Sequence, residues 1–420
     1  MPQGSKSTPM SFLFPTLISL AVLVFALNGR LRARHIRQWQ LGVLASEFGL
    51  WFSPAPIGVA IWSATFGIAG IPASILSLAA AMLLLCPEFL SHRLGKKLPE
   101  ALKAAFGNLE PRKSGDEIPE PGRALSPKAP AAHHPKIRHP NSDRRHTGAF
   151  GESALPGSHT KPSAPFSFDY PASGGRTRRI LFYPASGYAP APCVVMVHSG
   201  GWEAGSPEEF APAHAALARV GYAVACVAYG LTPEFSWPTP RDDVRAAIAH
   251  LKTKAGELGI DAGNFVLLGR SAGGQVALCV AYDDPDPAIR GVASFYAPTD
   301  MVFSWRGAYD GDILDSPKLM RNYLGGRPAE TPERHADASP MRFAEKKRMV
   351  PTLLMHGYRD EIVWCIQMRR LAHVLRRHHT PVLAIIVPWG RHAFDYNPSG
   401  PGGRVARRAL EGFLAAVTSR

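Results

Sequence analysis

Residues 265–274 read Phe-Val-Leu-Leu-Gly-Arg-Ser-Ala-Gly-Gly, and residues 275–282 continue Gln-Val-Ala-Leu-Cys-Val-Ala-Tyr. An apolar run ends at a glycine, a serine stands between two glycines, and a helix-forming stretch follows. That succession predicts a buried strand turning sharply into a helix, with Gly269 and Gly273 letting the backbone close the turn. Ser271 sits at the tip, where a second molecule has room to approach. A serine hydroxyl is a poor nucleophile until it is presented and activated by a base. The helix beginning at Ala272 aims unpaired N–H groups at the same spot, which favours negative charge developing there. A nucleotide-binding β-α turn is the competing reading. No G-x-G-x-x-G and no G-K-[ST] stands nearby to support it.

Working outward, short apolar runs recur on both sides of this unit. Residues 166–170 and 179–183 read as opening strands. Residues 193–198, 222–229, 265–269, 291–296, 352–356 and 382–388 have the apolar character of buried parallel strands. Helical patterns fall between them, near 207–219, 240–257, 275–283, 364–377 and 402–417. In the second of these, Val244, Ala247, Ile248 and Leu251 share a face. Strands alternating with helices predict an α/β fold, a doubly wound, mostly parallel sheet with helices on both faces. Ligands on such sheets bind at the carboxyl ends of the strands. Residues 302–345 break the alternation. They read as a small insertion that either shapes the site or runs over the surface.

Three further strand-end loops carry groups that suit Ser271. After residues 192–197 comes His198-Ser199-Gly200-Gly201-Trp202, whose paired glycines can turn their amides into one concavity. The Gly200, Gly201 and Ala272 N–H groups are therefore the candidate oxyanion donors. After 352–356 comes Asp360, a carboxylate placed to orient an imidazole, with Glu361 and Asp300 as rivals. After the last strand comes His392, alone among the sixteen histidines in such a loop so late in the chain, with Asp395 beside it as a structural residue. The chain order Ser271, Asp360, His392 differs from the chymotrypsin and subtilisin orders and is the α/β-hydrolase order. His392 would take the proton of Ser271, Asp360 would hold the imidazole, and the loop amides would bind the oxyanion of an acyl-transfer reaction.

At these residues the chain resembles the esterases and lipases of the hormone-sensitive-lipase and BD-FAE-like branch of the α/β-hydrolases. The resemblance covers roughly residues 175–418. It rests on His198–Trp202, Tyr229-Gly-Leu-Thr-Pro-Glu234 with Trp237-Pro238, Gly269–Gly274, His356-Gly with Asp360, and His392-Ala-Phe. It implies carboxylic ester hydrolysis with no cofactor and no metal, on a small-molecule or lipid ester, and it implies the triad and oxyanion loop just assigned. The chain departs from the pattern at Ser199, Gly230, Ala393 and Arg270, where family members usually carry glycine, arginine, glycine and an acidic residue. Amide chemistry on the same triad (an arylformamidase or a peptidase) is the alternative activity. A non-catalytic membrane scaffold on a hydrolase fold is the alternative class.

The 420 residues divide by composition into 1–106, 107–164 and 165–420. The first part is apolar, and spans are expected near 12–28, 42–64 and 69–90. Leu94, Leu98, Leu102 and Phe106 then recur at helical spacing and suggest a juxtamembrane helix on the lipid surface. Arginines at 30, 32, 34 and 37, and basic residues at 93, 96, 97 and 103, flank these segments and account for much of the +14 net charge. Positive-inside topology explains such charges better than nucleic acid does. It predicts a multi-pass membrane protein with a cytoplasmic-facing catalytic domain. Residues 107–164 read as a Pro-rich, basic, disordered tether. Their histidines, 133, 134, 139, 146 and 159, lack ligand-spaced partners for a metal. The five scattered cysteines read as buried hydrophobes.

Overall fold

The computed structural model describes residues 13–107, 164–187 and 189–418. The expected tether, histidines included, lies outside the described residues. Eight strands follow it: β1 (Phe166–Pro171), β2 (Thr177–Tyr183), β3 (Ala191–Val197), β4 (Ala223–Val227), β5 (Ile260–Arg270), β6 (Ile289–Phe295), β7 (Thr352–Gly357) and β8 (Val382–Val387). They form one sheet in the order β1-β2-β4-β3-β5-β6-β7-β8. β1 pairs antiparallel with β2 and β2 antiparallel with β4, and the five remaining pairings are parallel. The fold is thus the mostly parallel α/β sheet that the alternating runs predict.

Before the sheet come α1 (Leu13–Asn28), α2 (Ile36–Glu47), α3 (Gly49–Phe52), α4 (Pro54–Ala64) and α5 (Ile71–Phe106). Between strands lie α6 (Ala211–Arg219), α7 (Thr239–Thr253), α8 (Ala255–Leu258) and α9 (Ala272–Asp283). The insertion folds into α10 (Met301–Gly307), α11 (Ser316–Leu324), α12 (Pro332–Asp337) and α13 (Pro340–Ala344), and α14 (Ile366–Arg377) and α15 (Pro401–Thr418) complete the chain. Val244, Leu251, Val276 and Leu371 of α7, α9 and α14 cover one face of the sheet. Leu217, Leu410, Phe413 and Leu414 of α6 and α15 cover the other. With both faces covered, β3 and β5 have no solvent side, which is why their sequences are apolar throughout rather than alternating.

The N-terminal helices are packed in the opposite sense. Small residues face inward: Ser19, Ala26, Ala73, Ser77 and Ala80 are buried, and the Ser19 and Ser77 hydroxyls meet at 2.8 Å. Large apolar residues face outward, among them Leu17, Leu20, Val24, Ile61, Ile75, Leu78 and Met82. Small residues let helix backbones approach closely where lipid, not water, surrounds them. Ser19 sits beside Ser77, and the Arg30 guanidinium donates to the Leu83 carbonyl, so α1 and the start of α5 run parallel. The chain between them must therefore return, and α4 makes that return.

Two expectations for this region change. The span expected over 42–64 is not one straight helix, because α2 and the helical residues after Gly49 meet at a bend of 82°. Residues 42–47 instead enter an interface with the sheet domain: the Glu47 carboxylate accepts from Trp389 Nε1 at 3.0 Å and Gly402 N at 2.9 Å. Nor do Leu98 and Phe106 lie on a lipid surface. They belong to α5, which continues unbroken through Pro87 and Pro99, and they pack into the core with Phe413. Among the described residues, 67–106 is the one unbent helical stretch long and apolar enough to cross a membrane. α1, at 16 residues, falls short.

Candidate active site

Ser271 stands between β5 and α9 with φ +51°, a conformation that costs a non-glycine residue strain. The surroundings enforce it. Ser271 N donates to the Phe295 carbonyl at 2.9 Å, and Gly274 N and Gln275 N donate to the Ser271 carbonyl. A Cβ on Gly269 would lie 2.2 Å from the Gly273 carbonyl, and one on Gly273 would lie 2.2 Å from that of His198. The glycines are therefore needed for close packing, and they press the serine turn against the loop after β3.

The structure brings all three predicted triad side chains together. His392 Nε2 is 2.8 Å from Ser271 Oγ, and His392 Nδ1 is 2.8 Å from Asp360 Oδ2. Asp360 Oδ1 accepts from the amides of Ile362 and Val363, at 3.0 and 2.8 Å. Oδ2 also lies 3.1 Å from His356 Nε2. Burial alone would push this carboxyl up. The charge of His392 and the hydrogen bonds from His356 and His392 outweigh it and bring Asp360 down to about 2. The rival carboxylates are used elsewhere. Asp300 caps α10 and pairs with Arg370, and Glu361 pairs with Arg391.

The three amides proposed as oxyanion donors accept no duty elsewhere among the described residues. Ala272 N opens α9, where no intrahelical acceptor exists. Gly201 and Ala272 line the cleft beside Ser271. Gly200 lies one residue back, at φ +109°, against the Ala204 carbonyl. Ser199, which stands where a third glycine is usual, gives both its N–H and its hydroxyl to Glu209, at 3.1 and 2.7 Å. The loop is held further by Tyr229, which stacks on His198 and donates to its carbonyl at 2.9 Å.

Arg270 and Asp395, which the sequence leaves without clear work, form a buried pair. Arg270 Nε meets Asp395 Oδ2 at 2.6 Å, Tyr296 OH donates to Oδ1 at 2.7 Å, and the guanidinium lies 4.0 Å from the Phe210 ring. The pair ties the serine turn to the loop of His392. Removing one member of such a pair leaves an uncompensated buried charge. Asp395→Asn is therefore expected to cost about 3–5 kcal/mol of stability, read as a lowered denaturant midpoint at unchanged slope.

The cleft has a volume of about 730 Å³. The insertion supplies one wall, including Phe303, Leu314 and Leu319, and settles on α9 through Gln275, whose amide oxygen accepts from both Trp202 and Tyr323. A second wall comes from the other end of the chain: Arg30, Leu31, Arg32 and Ala33, the strap between α1 and α2, line the same cleft. Nothing in the local sequence of 28–33 signals this, because the sheet-domain residues that hold it, Arg359, Glu361 and Arg391, are more than 300 residues away.

Residues 181–375 match the BD-FAE family model. Among curated proteins the chain is similar to Esterase LipQ of Mycobacterium tuberculosis, 25% identical over 301 residues, covering 68% of this chain and 71% of that one. It is also 28% identical over 237 residues to the same organism's "Probable carboxylic ester hydrolase LipM", covering 54% of each. Among solved structures, a bacterial heroin esterase superposes with a TM-score of 0.53 at 23% identity, over 60% of this chain and 84% of that one. The Pyrobaculum calidifontis esterase gives 0.54 at 22%, over 62% and 87%.

Proposed function

We propose that this chain, a member of the α/β-hydrolase superfamily resembling its BD-FAE-like esterases, is a membrane-anchored serine hydrolase that cleaves carboxylic esters. The observation that carries the reading is the unbroken relay of two 2.8 Å contacts from Ser271 through His392 to Asp360, with unused amides beside the serine. His392 Nε2 accepts the Ser271 proton as Oγ attacks the acyl carbon. The charge that forms on the carbonyl oxygen is received by the amides of Gly201 and Ala272, with Gly200 behind them. His392 then gives its proton to the leaving alcohol. Water repeats the sequence to release the acid from the acyl-enzyme. Asp360 holds the Nδ1–H tautomer and stabilises the imidazolium. No step calls for a cofactor.

The anchoring part of the reading is supported by the inside-out packing of α1, α4 and the first half of α5, an apolar surface larger than a water-facing monomer tolerates. Basic residues cluster where α1 and the apolar half of α5 both end, which favours a catalytic domain on the cytoplasmic side. The test is covalent. The full-length chain in detergent, treated with a fluorophosphonate probe, is expected to carry the label on Ser271 and to hydrolyse p-nitrophenyl acetate, butyrate or octanoate. An unlabelled chain that turns over none of these would refute the proposal. Faster turnover of formanilide or peptide than of ester would move it to the amidases.

A further inference from the structure

Each of the three triad residues is preceded by an arginine: Gly-Arg270-Ser271, Tyr-Arg359-Asp360, Gly-Arg391-His392. The first ties the serine turn to the base loop, as described. The other two leave the sheet domain altogether. Arg391 Nη2 donates to the carbonyls of Asn28, at 2.6 Å, and Leu31. Arg359 Nη1 donates to the carbonyls of Gly29, at 3.4 Å, and Arg30. These carbonyls belong to the final turn of α1 and the residues just past it, where a helix has no partners of its own and the macrodipole is negative. Glu361 completes the contact: it pairs with Arg391 and accepts from Ala33 N at 3.1 Å.

We infer that Arg359 and Arg391 are positioning residues, which fix the acid and base loops by capping the C-terminal end of α1. The inference rests on the triad reading above. It makes the N-terminal helices part of the catalytic unit instead of a tether. The geometry leaves little slack. Arg391 is almost wholly buried, and a Cβ on Gly42 of α2 would come within 2.5 Å of its guanidinium. A shift of α1 or α2 is therefore passed to Arg391 and, one peptide on, to His392. Misplacing a catalytic group by about 1 Å costs on the order of 100-fold in rate.

The experiment uses the full-length chain in lipid nanodiscs, with p-nitrophenyl butyrate turnover and the rate of fluorophosphonate labelling as readouts. Arg391→Met is expected to lower kcat by about 30–100-fold while KM stays within about 2-fold, because transition-state geometry is lost and substrate contact is kept. Arg391→Lys, which keeps a charge and donors, is expected to recover part of that loss. Gly42→Ala, in the other domain, is expected to lower kcat by roughly 3–10-fold through displacement of Arg391. Arg404→Ala breaks another contact between the same two regions, the ion pair with Glu88, away from the triad. It is expected to leave kcat within about 2-fold of the native chain. The inference is overturned if folded Arg391→Met keeps native kcat and labelling rate, or if Arg404→Ala loses as much. Where Arg391→Met does not fold, Gly42→Ala decides, and native kcat there overturns it equally. Native protein that never labels at Ser271 would instead strike at the triad reading.

Discussion

Ser271→Ala is expected to lower kcat for p-nitrophenyl butyrate by about 10⁴–10⁶-fold and to abolish fluorophosphonate labelling, with the fold retained. The loss is large because Ser271 Oγ is the hydroxyl that His392 Nε2 holds, at 2.8 Å, and the atom that would take up the acyl group. The fold survives because the turn does not depend on Oγ. Its backbone is held by the bond from Ser271 N to Phe295 and by the two amides on the Ser271 carbonyl. Alanine tolerates φ +51° no worse than serine does. The measurement is steady-state turnover beside a thermal melt of the same preparation. Activity within 10-fold of native in a folded sample would remove Ser271 from the mechanism.

Asp360→Asn is expected to lower kcat by about 10⁴-fold, the magnitude seen when a triad acid loses its charge and the base adopts the wrong tautomer. Here the surroundings dictate which way the amide lies. Oδ1 already accepts from the Ile362 and Val363 amides, so an asparagine keeps its oxygen there and turns Nδ2 toward His392. Nδ2 then donates to His392 Nδ1. The ring proton is displaced to Nε2, which faces Ser271 and no longer accepts. Labelling should slow in parallel with turnover, because both need the serine proton removed. Equal loss for Glu361→Gln but not for Asp360→Asn would reassign the acid. The native carboxylate sits at about 2, below its ordinary value, so its contribution to stability is full above about pH 4 and is lost as pH falls through 2.

What the sequence discloses and what it conceals divide along a physical line. β3 to β7 are legible because a strand buried on both faces is an apolar run, whatever its neighbours are. The serine turn is legible because its glycines answer to local packing. Asp360 and His392 follow from their places at strand ends. The start of α9 at Ala272 is legible from the serine turn, although Gly273 and Gly274 leave the helical pattern itself clear only from Gln275. Arg270 carries a faint signal, since an arginine ending a buried strand needs a carboxylate, and Asp395 stands next to the base. Arg359, Arg391 and Glu361 carry none. Their partners are mostly backbone atoms, which leave no mark in side-chain patterns. The bend at Phe48 is hidden for a similar reason, because Glu47 looks like a blemish in an apolar stretch until Trp389 and Gly402 are seen to hold it.

The continuity of α5 bears on how this molecule is held together. Its 36 residues extend about 54 Å, one end among the outward-facing apolar helices and the other against α15. The chain therefore crosses between its two regions on a rod before it reaches residues 108–163. A break within them would leave two pieces still joined by α5 and by the strap. The cleft would keep its place beside the end of α1, held there by α5 and by the strap. The length of α5 therefore sets how far the cleft stands from the outward-facing apolar helices.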